Sequence, residues 1–382
     1  VNNYDVVVAG GGIIGGSIAF ELARRNLKVA LLDRSEASRE ASWAAAGMLA
    51  PGPHSPETIP LVPLGRASLA MYPEFIRAVE EAAGMSIGYR TDGTLEVLFH
   101  GDAERELSTL VALHRGLGLA CEPLPVEEAQ LMEPALGRDA RAAALLPDEA
   151  SVDNRLLGDA VLAAAKSSGV RFYPGAEVTS LIVDGTRCSG VRTSGGKNFS
   201  ARYVVAAAGC WTSQLSDVAP YAPTRPVRGQ MAALRHRGRT IRHVLRSEHG
   251  YIVPRDLASP QKLVIGATQE ETGYVKCVTS GGLEQILSAV NELVPELARA
   301  EILETWSGLR PGTPDQLPIL GPTEIDGLVI ATGHFRSGIL LAPATAKLIA
   351  EWICENKTSL DWEPFSPARF ARSNGTRPVT AG

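Results

Sequence analysis

The sequence predicts an α/β fold, α+β overall: a Rossmann-like domain joined to a second domain built on an antiparallel sheet. Three observations carry that expectation. Near the start, the apolar run Val6-Val7-Val8-Ala9 meets Gly10-Gly11-Gly12-Ile13-Ile14-Gly15, a helix-like stretch reaches Arg25, and Val29-Ala30-Leu31-Leu32-Asp33 follows. That order is strand, glycine turn, helix, strand, acid. Near the end, Leu328-Val329-Ile330-Ala331-Thr332-Gly333 repeats the strand-to-glycine step before a long apolar helix. Between them, over 226–268, strand-like runs follow one another without helices, the pattern of a separate antiparallel sheet.

Gly10, Gly12 and Gly15 keep the G-x-G-x-x-G spacing. The first allows the tight turn, the second lets a pyrophosphate approach the backbone, and the third lets helix and strand pack closely. The helix that follows offers free N–H groups and the positive end of its dipole to phosphates. Asp33 ends the second strand about 20 residues on, where a carboxylate accepts from ribose hydroxyls. The motif does not separate FAD from NAD, but the acid disfavours a 2′-phosphate, because two anions repel.

The chain of 382 residues is long enough for two lobes and a sizeable core. A hydrophobic fraction of 45% and a mean hydropathy of +0.02 are those of a soluble globular protein. A net charge of -5 with pI near 5.9 leaves no footprint for nucleic acid, and no apolar run is long enough to span a bilayer. The N-terminus opens straight into the first strand, without a basic region, apolar stretch and cleavage site, so a cytoplasmic location is expected. The 5 cysteines form no C-x-x-C pair, which argues against a disulfide framework. The 7 histidines form no H-x-x-x-H pair, so no metal site is expected.

After Asp33, the run Ala41-Ser42-Trp43-Ala44-Ala45-Ala46-Gly47-Met48 is dominated by small side chains. It suits close passage by a large planar ligand, with Ser42 able to donate to a phosphate; it equally suits a tightly packed helix start. Leu64, Met71, Phe75 and Val79 make a core-facing helical stripe over 64–83. Thr91-Asp92-Gly93-Thr94 is a turn before a strand over 95–99. Residues 102–117 read as a helix, and a short acidic helix opens at Val126 after Pro125. A helix over 154–168 stops at Gly169; a strand over 170–173 follows, and 175–178 continue this second βα-type region. Next comes a hairpin, 190–193 turning through 194–197 into a strand over 203–208 that ends in Gly209. A buried strand ending in glycine suggests close approach of a ligand at its carboxyl end. The antiparallel strands are 229–234, 251–253 and 263–268, followed by a helix over 282–293 and a strand over 302–309 leading into Arg310-Pro311-Gly312. The last crossing, 327–339, enters a helix to about 353 and can place N–H groups at another part of the ligand. The polar tail, 366–382 with Asn374-Gly375, is expected to fray.

The whole chain resembles the D-amino-acid oxidase superfamily of flavoproteins, and within it the glycine oxidases of the thiamine pathway. The likeness is carried by the 10–15 turn with Asp33, by 42–49, by Trp306-Ser307-Gly308-Leu309-Arg310-Pro311, and by Gly333-His334-Phe335-Arg336-Ser337-Gly338-Ile339-Leu340-Leu341-Ala342-Pro343. The last two segments are much more specific than the first. The resemblance implies a discontinuous FAD-binding domain over 1–85, 147–222 and 300–365, and a substrate domain over 86–146 and 223–299. It puts the FAD phosphates at Ile13 and Ile14, beside Gly10, Gly12 and Gly15, and the adenosine ribose at Asp33 and Arg34. Pyrophosphate or flavin contacts fall on Ala41, Ser42, Ala46, Gly47 and Met48, and the adenine end on Val178. His334, Phe335, Arg336, Ser337, Gly338, Ile339 and Leu340 would line the isoalloxazine. The substrate-carboxylate arginine falls on Arg310 and its partner tyrosine on Tyr251, with Arg336 and His249 at further pocket positions. Asp33 stands where the family more often has glutamate, and Gln269 where an apolar pocket residue is more familiar. No cysteine matches the flavin-attachment position of the sarcosine-oxidase branch, so FAD is expected to be noncovalent.

The implied chemistry passes a hydride from an amine's α-carbon to the flavin, leaving an imine that water hydrolyses. No strong side-chain base is needed if the amine arrives neutral. The site needs instead a cationic fork for the substrate carboxylate, which a guanidinium provides bidentately. The expected activity is oxidation of glycine by oxygen, with water, to glyoxylate, ammonia and hydrogen peroxide, by a homotetramer. The alternatives are a D-amino-acid or secondary-amine dehydrogenase with another acceptor, and a flavin-binding subunit of a larger amine-oxidising complex.

Overall fold

A computed structural model of the chain describes residues 2–371. The first sheet grows outward from the glycine turn. Strand Asn2–Ala9 is central, paired in parallel with Val29–Leu32 on one side and Asn198–Ala206 on the other. Arg171–Tyr173 extends the parallel set beyond Val29–Leu32. The far edge of Asn198–Ala206 is shared: Val204, Val205 and Ala206 pair in parallel with strand Leu328–Thr332, and Asn198, Phe199 and Ser200 pair antiparallel with strand Arg187–Thr193. Successive side chains of the central strand feed opposite faces, as a strand's period of two requires. Val6 and Val8 enter one core with Leu31, and Val7 enters another with Val204 and Ile330. Helices Ile13–Arg24, Val62–Ala83, Asn154–Ser167 and Gly338–Glu355 pack together over the first face.

The expected βα continuation at 175–178 is not what forms. Strand Val178–Asp184 starts there and pairs antiparallel with Arg187–Thr193, giving the sheet an antiparallel edge. Only Leu181 of that strand is buried, so its sequence carries no clear two-residue period.

The second sheet runs in the order Glu301–Gly312, Arg225–His236, Gln261–Gly266, Tyr251–Pro254, Val244–Arg246, Thr94–Leu98, Ala142–Leu146, Glu122–Leu124. Every pairing is antiparallel except that between Val244–Arg246 and Thr94–Leu98. Glu301–Gly312, which the sequence groups with the FAD-binding segment 300–365, pairs with Arg225–His236 along nearly its whole length and belongs to this sheet. Helix Ser280–Leu293 covers the sheet through Ile286, Val290 and Leu293. A small third sheet, formed by Met48–Leu49, Ala150–Val152 and Tyr89–Arg90, lies between the two along the chain.

Residues 366–371, expected to begin a frayed tail, form a turn and the short helix Ala368–Ala371. Arg369 holds it in place by pairing with Asp315 at 2.7 Å and donating to the carbonyls of Leu317 and Pro318. The rest of that expected tail lies outside the described residues. Among the described residues no helix is long and apolar enough to cross a membrane.

Candidate active site

Four parallel strands end at one cavity of about 510 Å³. Ala9-Gly10, Leu32-Asp33, Ala207-Ala208-Gly209 and Ala331-Thr332 stand on its wall, as expected for ligand binding at the carboxyl ends of an open sheet. The second sheet supplies the opposite end through Gly229, Met231, Tyr251, Thr268 and Gly308-Leu309-Arg310-Pro311. Phe335 N–H donates to the Pro311 carbonyl at 3.1 Å and ties the two ends together.

The glycine turn is shaped by lack of space. A Cβ on Gly15 would lie 1.9 Å from the Gly10 carbonyl oxygen, and one on Gly10 2.3 Å from the Ala207 oxygen. Gly15 therefore packs helix on strand and does not itself reach the cavity wall. Gly12 caps helix Ile13–Arg24 with no side chain, leaving its mouth open. Ser42 Oγ accepts from Ile13 N–H at 2.9 Å, so its own proton is free to donate elsewhere. Asp33 does more than end a strand. Its carboxylate accepts from Gly11 N–H at 2.7 Å and from Ser35 N–H at 2.9 Å, which fixes the turn while the side chain borders the cavity. An open helix mouth, a turn without side chains and a carboxylate one strand away fit the phosphates and ribose of a dinucleotide.

The remaining residues singled out from the sequence fall along the same wall. Arg34 lies 3.6 Å over the Trp211 ring and pairs with Glu40, and Val178 stands at this end with Ala176 and Glu177. Ala41, Ala46, Gly47, Met48 and Gly209 also border the cavity, as do His334, Phe335, Arg336, Ser337, Gly338, Ile339 and Leu340. His249 sits at the exposed rim, 3.9 Å from Glu248. Gln269 is off the wall but accepts a hydrogen bond from Arg336.

At the Arg310 end, neutral groups orient charged ones. Arg310 donates to the Thr268 carbonyl at 3.1 Å and lies where Gly229 has no side chain; a Cβ there would be 2.3 Å from the guanidinium. The Tyr251 hydroxyl reaches Met231 Sδ at 3.2 Å. Burial pushes that hydroxyl's pKa up, against the opposing pull of Arg310 and Arg336, so it stays a donor. His334 Nε2 meets Thr345 Oγ1 at 3.0 Å, and burial pushes the imidazole down to about 3.

His54 and Arg246 are among the wall residues missed from the sequence. His54 follows Pro51-Gly52-Pro53 and opens onto the cavity with its side chain exposed. Arg246 pairs with Glu96 and, at 3.0 Å, with Glu149. Burial works against its charge, but the two carboxylates outweigh it and raise its pKa. Neither had a local signal: His54 is a lone histidine in a loop, and Arg246 gains its partners only when Val244–Arg246 pairs with Thr94–Leu98.

Buried His334 gives stability a pH dependence. An unfolded histidine titrates near 6.5, whereas folded His334 titrates near 3. Below 6.5 the unfolded chain binds a proton that the folded chain refuses, so stability falls as pH drops from about 6.5 towards 3 and is unaffected above. Melting temperature should decline across that window, and His334→Asn should decline less steeply. A variant slope equal to wild type would contradict the assignment.

Turn, open helix mouth and strand ends together define a dinucleotide-binding protein. The chain belongs to the DAO family of FAD-dependent oxidoreductases, whose description, "FAD dependent oxidoreductase", matches residues 5–352. It is thus an FAD-dependent enzyme of the class acting on amine and amino-acid donors. A glycine oxidase of Geobacillus kaustophilus is 35% identical over 96% of this chain and 97% of its own length. The crystal structure of glycine oxidase from Geobacillus kaustophilus superimposes with a TM-score of 0.90 at 34% identity, covering 97% of this chain and 99% of that one. The bifunctional protein ThiO/ThiG of Trichormus variabilis is 35% identical over 98% of this chain, which spans 56% of that relative's length.

Proposed function

We propose that this chain oxidises a small amino acid, glycine in the simplest case, with noncovalently held FAD and with oxygen as acceptor: glycine, water and oxygen give glyoxylate, ammonia and hydrogen peroxide. The observation that carries the reading is Arg310, a guanidinium oriented by backbone carbonyls beside the protonated Tyr251 hydroxyl. A carboxylate between them would receive a fork and a further donor. Bound FAD would supply the hydride acceptor. Gly10, Gly12, Ile13, Ile14 and Ser42 would hold its phosphates, and Asp33 its ribose. His334, neutral and hydrogen-bonded to Thr345, would offer no positive charge to compete for the substrate carboxylate.

Noncovalent attachment is supported by the cavity's thiol. Among the described residues Cys210 alone of the cysteines stands on the wall, and burial together with Glu40 pushes it up to about 12, so it is not a thiolate. The proposal extends, on resemblance, to a cytoplasmic homotetramer and to thiamine biosynthesis. The test is a peroxide assay of the purified chain with glycine, sarcosine and D-alanine, followed by acid precipitation. Peroxide from glycine and FAD in the supernatant are expected. Oxidation without peroxide would point to another acceptor, and flavin in the precipitate to a covalent bond.

Asp33→Ala should weaken FAD retention. It removes an acceptor for ribose and also frees Gly11 N–H from its 2.7 Å anchor. Hydrogen bonds to a charged group contribute about 1.5–3 kcal/mol, or roughly 10- to 150-fold in affinity. An unchanged affinity in an FAD titration would leave Asp33 as a turn anchor only.

A further inference from the structure

Helix Ala41–Ala44 brings Ser42 to the cavity wall and spans only 4 residues. A helix this short leaves the carbonyls at its end without partners of its own. Side chains from distant parts of the chain take them. Asn154 Nδ2 donates to the Ser42 carbonyl at 2.8 Å and to the Trp43 carbonyl at 2.9 Å. Trp306 Nε1 donates to the Ala44 carbonyl at 3.0 Å. Ser42 is thus held on two sides, since its Oγ also accepts from Ile13 N–H at 2.9 Å.

The Asn154 amide has one orientation open to it. Arg255 Nη2 donates to its Oδ1 at 2.6 Å. A guanidinium has no acceptor, so the amide oxygen must face Arg255 and the NH2 group must face the two carbonyls. Arg255 directly follows strand Tyr251–Pro254 of the second sheet. It is fixed in turn by donating to the Val152 carbonyl at 3.0 Å, with Asp153 3.9 Å away. Asn154 is 1% exposed and is not on the cavity wall. Nor does its own helix, Asn154–Ser167, use this side chain. Asp153 caps that helix, accepting from Arg155 N–H at 3.0 Å and from Leu156 N–H at 3.1 Å. A fully buried amide therefore has its oxygen and its nitrogen engaged in a link that runs from the second sheet to Ser42.

We propose that Asn154, oriented by Arg255, is a positioning residue for the cofactor. It sets the run 41–48 so that the Ser42 hydroxyl stays on the FAD phosphates. FAD retention thereby depends on the sheet that also carries Tyr251 and Arg310. The inference rests on the reading that places those phosphates at Ile13 and Ser42.

The test dilutes the holoenzyme and follows released FAD by its fluorescence, so no substrate enters the measurement. Asn154→Leu, close in volume, should weaken FAD retention about tenfold, as the loss of two amide hydrogen bonds implies. Asn154→Asp keeps an acceptor for Arg255 but loses the donors, and should weaken it at least as much. Ser42→Ala should also weaken retention. Adding Asn154→Leu to Ser42→Ala should then cost less than about twofold more, because both act through one contact. Arg255→Met should reproduce part of the loss, and Arg255→Lys, which keeps a donor for Oδ1, should restore most of it. This last pair leaves Asn154 in place and reads the same link if Asn154→Leu does not fold; wild-type retention in Arg255→Met would overturn the proposal. So would wild-type retention in Asn154→Asp, since the donors would then be dispensable. Losses that multiply in the double variant would overturn it too, because Asn154 would then act on stability and not through Ser42. A non-additive cycle in a protein that oxidises no amine would uphold the positioning role and overturn the oxidase reading.

Discussion

Replacing Arg310 by alanine is expected to raise the apparent KM for an amino acid by about two orders of magnitude or more, with the flavin spectrum retained. A small amino acid has little besides its carboxylate to hold, so this contact should dominate its binding. Losing a charge-assisted pair in a partly dry pocket costs about 3 kcal/mol, which is roughly a hundredfold. The flavin should stay because the glycine turn and Asp33 lie at the other sheet. Arg310→Lys should recover only part of the loss. An ammonium can still meet the Thr268 carbonyl that now accepts from Arg310 at 3.1 Å, but it has no planar fork left for the ligand. A simple amine without a carboxylate should be nearly indifferent to either change. Wild-type KM for every carboxylated amine tested would remove Arg310 from the site and leave Arg336 as its carboxylate holder.

Gly15→Ala should abolish FAD retention and lower the melting temperature. The new Cβ would lie 1.9 Å from the Gly10 carbonyl oxygen and 3.2 Å from Val8 Cγ1, so helix Ile13–Arg24 must move off the central strand. Overpacking of this kind typically costs about 1–3 kcal/mol, and here it also displaces the N–H groups that face the cavity. Gly12→Ala makes the informative contrast. Its Cβ would meet only Ser42 Oγ, at 3.2 Å, so the fold should hold while the helix mouth becomes crowded. Thermal melts and FAD titrations separate the two: loss of both properties for Gly15→Ala, loss of affinity alone for Gly12→Ala. Wild-type FAD affinity in Gly15→Ala would show that helix–strand contact at the turn is not what positions the cofactor.

What could be read from the sequence was what local spacing encodes. The glycine turn, the Asp33 strand end and the final strand–glycine–helix crossing announce themselves within a few residues, and all meet at one cavity. The grouping of Ala41–Met48 could not be decided from composition, because small residues suit both a tight helix start and a ligand's passage. In the structure both descriptions apply: the run contains the short helix Ala41–Ala44 and also borders the cavity. Strand Val178–Asp184 escaped notice because an edge strand with one buried residue has little hydrophobic period. The Arg246 cluster was invisible for a different reason: Glu96, Glu149 and Arg246 are brought together by long-range strand pairing. Even the space around Arg310 depends on a partner strand, where Gly229 leaves room for its guanidinium. Spacing along the chain thus revealed the dinucleotide end, whereas the substrate end is assembled from distant strands and was legible only through resemblance.

The central claim is that one cavity joins an FAD site to an amino-acid site, so that a substrate held at Arg310 reduces the flavin. Anaerobic mixing of the purified yellow protein with glycine, followed by the visible flavin band, tests it most directly. Bleaching of the band with glyoxylate released in proportion is expected. A colourless protein that binds NAD, or a bound flavin that no amino acid bleaches, would contradict it.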